Sequence, residues 1–162
     1  MTTDPILTAA REVLQRSFAD IRLCVEGLTT EALDWHPGGD DTNSIAVLAT
    51  HSLHSTRSWL SVALGEPLPE RDRDSEFRVS ALDAESLLRL LDDISRDCLA
   101  LVSKDGAVDW SALRRTHPRP RAGAPEQVPA AWALLHALEH LREHVGQISL
   151  TRQLWEARSP AP

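Results

Sequence analysis

The chain has 162 residues, of which 42% are hydrophobic and 25% charged, and its formal net charge is −7. This composition predicts one globular domain over residues 1–162. The negative charge argues against nucleic-acid and anionic-membrane partners, because phosphate groups attract basic surfaces. No apolar run approaches the roughly 20 residues of a transmembrane helix. A signal-peptide pattern is missing, and the two cysteines lie outside any CxxC motif, so that we expect a cytoplasmic protein.

Apolar residues recur at helical spacing in four long segments. The first segment opens with Asp4 and Pro5, a helix cap followed by a proline of the first turn, and Gly65 stops the second. Residues 66–77 carry alternating charges, and we predict a solvated loop there. Residues 110–129 are rich in prolines and arginines, and we predict a long loop without strands. The predicted helices begin near Asp4, Asn43, Ser80 and Pro129 and end near Gly27, Leu64, Lys104 and Trp155. The predicted fold is therefore all-α, a four-helix bundle.

The last predicted helix carries three histidines spaced four residues apart, His136, His140 and His144. Residues at this spacing lie about 6 Å apart on one helix face, where two imidazoles can share a divalent cation. A helical wheel separates them from a leucine stripe. This stripe consists of Leu134, Leu138, Leu141 and Val145. The histidine face is either solvated or turned into a polar cavity, and the neighbouring Ala133 and Ala137 favour the cavity. The leucine stripe would then be buried as well, as it could be in a dimer.

A third ligand could come from the second predicted helix, which carries His51 and His54. His51 is in line with a mostly inward stripe, whereas His54 groups with polar residues on what we expect to be an outward, solvated face, and we therefore prefer His51. Three neutral imidazoles would leave coordination positions open, as is typical of catalytic rather than structural sites. A cation held there would lower the pKa of a bound water or thiol.

Two polar residues beside the histidines are the candidate catalytic residues. Glu143 is at the edge of the histidine face and could accept a proton, and Gln147 is one turn beyond His144 and could hydrogen-bond to a ligand. A solvated carboxylate and a packing amide are the alternatives. Four arginines between residues 114 and 121 could form an anion clamp over the site or a plain solvated loop.

These motifs resemble those of the DinB-like superfamily of metal-dependent four-helix bundles. The similarity runs from the first helix to about residue 158, and three pieces of sequence carry it. They are Leu33-Asp-Trp35-His-Pro37 with Asn43-Ser44-Ile45, then His51 followed by Trp59-Leu60, and finally Leu135-His136-Ala-Leu-Glu139-His140-Leu-Arg-Glu-His144-Val-Gly146-Gln147-Ile148.

The resemblance implies that His51, His140 and His144 hold zinc, nickel or iron, with His136 in a supporting or packing role. It also implies a homodimer. Some members use small thiols in isomerase or S-transferase reactions, and others look like amide hydrolases. The expected function is therefore a metal-dependent enzyme that activates a low-molecular-weight thiol cosubstrate, or water in a hydrolase. A non-catalytic metal-binding or dimerising stress-response protein is the alternative. One departure is Glu143, where many members have another histidine.

Overall fold

The computed structural model describes residues 4–81, 83–104, 106–116 and 125–158. Its helices are α1 (Pro5–Val25), α2 (Thr30–Leu33), α3 (Ile45–Leu64), α4 (Arg73–Glu76), α5 (Ala84–Leu101) and α6 (Ala130–Arg158). A 3₁₀ turn spans Gly39–Asp41, and two strands, β1 (Leu113–Arg115) and β2 (Gln127–Pro129), precede α6. The long helices α1, α3, α5 and α6 form the bundle, and the all-α prediction is confirmed. None of the helices within the described ranges is both long and apolar enough to cross a membrane.

Helix α3 lies in the interior of the bundle, between α5 and α6. The Ser44 hydroxyl caps its first turn by accepting a hydrogen bond from the Val47 N–H at 3.2 Å. Gly65 ends it with a φ of 70°, in the left-handed region where glycine is favoured. Most of its residues are buried, and His51 is only 5% exposed. The backbone of α3 therefore places His51 inside the bundle.

The core is formed by aliphatic residues of all four long helices. Burying a side chain of this size stabilises the fold by about 1.5–3 kcal/mol relative to leaving it in water. Its largest fully buried members include Leu14, Ile21, Leu53, Leu60, Leu91, Leu141 and Ile148. The leucine stripe of α6 belongs to this core: Leu134 is 2% exposed and Leu138 packs against the same cluster. The stripe is therefore covered by its own chain, and no dimer is needed to bury it.

The segment from 110 to 129 contains a two-stranded antiparallel ribbon, so the prediction of a loop without strands was wrong there. Arg114 of β1 pairs with Val128 of β2. Val128 is 4% exposed and joins the core, whereas its neighbours in β2 face solvent. Three residues of alternation are too few to be distinguished from a loop in the sequence.

The predicted anion clamp is described only in part. Two of its four arginines, Arg119 and Arg121, lie outside the described residues. The guanidinium of Arg114 lies against Gly65, at the carboxyl end of α3, where the helix dipole favours a cation. His51 precedes Gly65 by 14 residues, which is roughly 20 Å along a helix. Arg114 therefore lies far from the histidines rather than over them.

Candidate metal centre

Three imidazoles from two helices meet inside the bundle. One ring nitrogen each of His51, His140 and His144 lies within 4.8 Å of the others. The ring centre of His51 is 5.1 Å from that of His140 and 5.2 Å from that of His144. His140 and His144 are four residues apart on α6, and their ring centres are 4.4 Å apart. The structure thus brings together the three residues that the sequence singled out as ligands.

His54 is not part of this group. It is half-buried rather than on an outward polar face, and it lines a cleft of about 360 Å³ together with Thr50 and Glu70. Burial lowers its pKa. The expectation of a solvated face was wrong because α3 is enclosed on nearly every side, so that its polar residues are also covered.

The tautomers of two rings are fixed by acceptors on their outer nitrogens. The Nδ1 atom of His51 is 2.8 Å from Oε2 of Glu76, and Nδ1 of His144 is 2.7 Å from Oε1 of Gln147. Carboxylate and amide oxygens only accept, so both Nδ1 atoms must donate a hydrogen. In the neutral form of each ring, which is the form that binds a metal, Nε2 then carries the free lone pair. Such outer hydrogen bonds are usual for histidines that bind metals.

The distance between the Nε2 atoms of His140 and His144 fits a shared cation. Nε2 of His140 and Nε2 of His144 are 3.2 Å apart. Two nitrogens bound to one tetrahedral ion at about 2.0–2.1 Å would be about 3.3–3.4 Å apart. The buried Nδ1 of His140 has no hydrogen-bond partner within the described part of the chain. Imidazole nitrogens suit zinc, nickel and iron, so the residues present fit such an ion.

The protonation states also favour coordination. Burial lowers the pKa of His140 to about 3, and the neighbouring imidazoles of His144, His51 and His136 add to the effect. Burial likewise lowers the pKa of His144, although the hydrogen bond to Gln147 opposes it. Both rings are therefore neutral near pH 7, the state in which imidazole binds a metal.

The family of this chain is shown by a match to most of its sequence. The model of the DinB superfamily matches residues 13–148. The chain belongs to the DinB superfamily.

Two solved structures support the same fold. A conserved protein from Enterococcus faecalis has a TM-score of 0.71 and 15% identity, over 93% of this chain and 96% of that chain. A DinB-like protein from Bacillus cereus has a TM-score of 0.65 and 15% identity, over 93% of each chain. No curated protein matches the sequence. At this identity the structural likeness shows the DinB fold alone.

Sequence reasoning missed Glu76, which lies in α4 and touches the histidine cluster of this DinB protein. Its carboxylate is 4% exposed and contacts both His51 and Arg71. Burial alone would raise its pKa, but the hydrogen bonds from His51 and Arg71 lower the pKa below its ordinary value, so that Glu76 is ionised. The charged segment 66–77 was predicted to be solvated. A signal in the sequence that this segment folds onto the bundle was the apolar residue Phe77, whose ring lies 4.5 Å from that of His51.

His136 belongs to an aromatic cluster next to the DinB site. Its ring stacks on Trp132 at 4.9 Å and an interplanar angle of 17°, and meets Trp59 edge-on at 4.7 Å. It lies 5.7 Å from the ring of His140, outside the group of three. These contacts are those of a packing residue beside the site.

Glu143 and Gln147 lie on the solvent side of the cluster. Both side chains are exposed, and Nε2 of Gln147 is 3.5 Å from Oε1 of Glu143. Gln147 thus contacts His144 with its oxygen and Glu143 with its nitrogen. The two candidate catalytic residues are therefore adjacent, and only Gln147 is hydrogen-bonded to one of the three histidines.

Proposed function

We propose that this DinB protein is a metal-dependent enzyme that activates a low-molecular-weight thiol in an S-transferase-like reaction. The observation that carries the proposal is the convergence of His51, His140 and His144, with the Nδ1 atoms of His51 and His144 held by acceptors outside the group. A divalent ion of zinc, nickel or iron held there would supply Lewis acidity, which lowers the pKa of a neighbouring thiol or water.

Two features favour catalysis over a purely structural site. Structural zinc sites usually have four protein ligands, whereas catalytic sites have three. Among the described residues, no cysteine, carboxylate or further histidine joins this group. His140 and His144 are only half-buried and the neighbouring Glu143 and Gln147 are exposed, and we therefore expect a small molecule to approach from this side of α6.

The surrounding residues have complementary roles in this proposal. Gln147 orients His144 through its Nδ1 atom. Glu143 is exposed beside Gln147, and we assign it the role of proton acceptor for the incoming thiol. His140 stays neutral because of its low pKa, and its lone pair remains available for the ion.

The test is an assay of the metal-loaded protein with small thiols and a chromogenic electrophile, with His140→Ala as the inactive control. A thioether product that forms only with the unmodified protein supports the proposal. Cleavage of amide substrates without a thioether would replace it by a hydrolase, which uses the same site with water. Metal-loaded protein that catalyses neither reaction would favour a non-catalytic metal-binding role.

A further inference from the structure

Glu76 contacts one of the three histidines, but the proposed function assigns it no role. Glu76 lies between His51 and Arg71. Its Oε2 atom is 2.8 Å from Nδ1 of His51 and 2.8 Å from Nη2 of Arg71, while its Oε1 atom is 2.6 Å from Nε of Arg71. A buried carboxylate needs such partners, because an uncompensated charge inside a protein is costly.

Arg71 holds the carboxylate in a two-point grip. Two parallel N–H···O bonds fix the plane of the carboxylate as well as its position. The side chain of Arg71 is 11% exposed, so that water screens this pair little. Asp72 caps the short helix α4 by accepting hydrogen bonds from the N–H groups of Asp74 and Ser75. Arg71 therefore holds the Glu76 carboxylate, while the Asp72 cap stabilises the helical turn that carries it.

The His51 ring is held on two sides by the same segment. Glu76 accepts the hydrogen of Nδ1, and the Phe77 ring lies 4.5 Å from the imidazole at an interplanar angle of 41°. These contacts restrict rotation of the ring about its side-chain torsions. With Nδ1 bound to Glu76, Nε2 is left as the nitrogen available to a metal.

We propose that Glu76 is a positioning residue that keeps Nε2 of His51 available for the metal ion, and that Arg71 holds Glu76 in place. This inference rests on the proposed function, since it presupposes an ion at the three histidines. Arg71 offsets the charge of Glu76. We therefore infer that Glu76 orients the imidazole ring of His51 rather than supplying negative charge to the site. A neutral acceptor at position 76 should then preserve most of the effect.

The experiment measures zinc affinity by chelator competition and records the visible spectrum of the cobalt-loaded protein, for the unmodified chain, Glu76→Ala and Glu76→Gln. We expect Glu76→Ala to bind zinc about 10–100-fold more weakly and to alter the cobalt spectrum, because loss of such a partner has that effect in metal sites. Glu76→Gln keeps an oxygen that accepts from Nδ1, and we expect it to recover most of the affinity and of the spectrum.

The control is Arg57→Gln, which removes a different ion pair of α3, 2.9 Å from Asp97. We expect its zinc affinity to equal that of the unmodified chain. Circular dichroism of the metal-free variants verifies that each is folded. If Glu76→Ala is unfolded, Glu76→Met fills a similar volume without an acceptor and takes its place.

Two results would overturn the inference while leaving the proposed function intact. The first is zinc affinity in Glu76→Ala equal to that of the unmodified chain. The second is a Glu76→Gln variant as weak as Glu76→Ala, which would show that charge rather than direction matters. If the unmodified chain binds neither zinc nor cobalt, the proposed function fails first and this inference fails with it.

Discussion

Two sides of helix α6 differ in what they contribute to the protein. On one side, Leu134, Leu141 and Val145 are almost fully buried in the core. On the other, His140 and His144 are half-buried around a polar centre. The leucine stripe stabilises the fold without any ligand, since apolar burial needs no partner of defined geometry.

The histidine side has the opposite energetics. Within the described residues the buried Nδ1 atom of His140 has no hydrogen-bond partner, which costs stability in the absence of an ion. Unpaired buried polar groups of this kind are often found at functional sites. Stability and metal binding are therefore separable on α6, although the two sets of residues alternate along it.

The largest effect is expected from removal of a core leucine. Leu141→Ala should lower the free energy of unfolding by about 2–5 kcal/mol, because it leaves a cavity at a position that is 0% exposed. Urea unfolding measures the loss. The folded fraction should still bind the metal with the affinity of the unmodified chain.

Leu135→Ala is the matched control for Leu141→Ala. Leu135 is 66% exposed on the same helix, and its removal should change the free energy of unfolding by less than about 0.5 kcal/mol. Equal losses for the two leucines would contradict the distinction between the buried and the exposed sides.

A smaller effect is expected from loss of the hydrogen bond between His144 and Gln147. Gln147→Ala removes the acceptor from Nδ1 of His144 and should weaken zinc binding about tenfold, the lower end of the range for such contacts. Chelator competition measures the affinity, and urea unfolding of the metal-free protein should show little change, since Gln147 is exposed.

Gln153→Ala is the control for Gln147→Ala. It removes the same residue type from α6, and within the described ranges this amide bonds to Ser149, at 3.3 Å, and to none of the three histidines. Its zinc affinity should be unchanged. A similar loss in both variants would mean that the contact to His144 has no specific effect.

The smallest expected effect is a difference in reactivity between the two cysteines. Burial raises the pKa of Cys98 to about 12, so that about one thiol in ten thousand is ionised at pH 8. Cys24 is only partly buried, although burial raises its pKa as well. Iodoacetamide at pH 8 should therefore label Cys24 first, and Cys98 only after unfolding. Mass spectrometry of tryptic peptides gives the two rates, and faster labelling of Cys98 would indicate that this core is open to water.

Much of this arrangement could be predicted from the sequence. Helical spacing on α6 and the inward stripe around His51 depend on local periodicity, which is visible in one chain. The caps Asp4 and Ser44 act on N–H groups two or three residues away and are readable for the same reason.

The remaining features depend on contacts between distant segments. Glu76 reaches His51 across 25 residues, and a charged stretch with no periodicity does not reveal that it will fold over a histidine. The pairing of β1 with β2 likewise depends on packing of Val128 into the core. The leucine stripe was visible, but only the packed bundle shows that its own chain covers it.

The most direct test of the central claim is the metal content of untagged protein, measured by plasma mass spectrometry. After incubation with zinc, nickel or iron, the unmodified chain should retain about one ion, and His51→Ala and His140→Ala should retain none. His36→Ala is the control, since His36 bonds to the Thr42 carbonyl outside the group and should keep the ion. An unmodified chain without metal, or His51→Ala and His140→Ala variants that keep it, would contradict the three-histidine site.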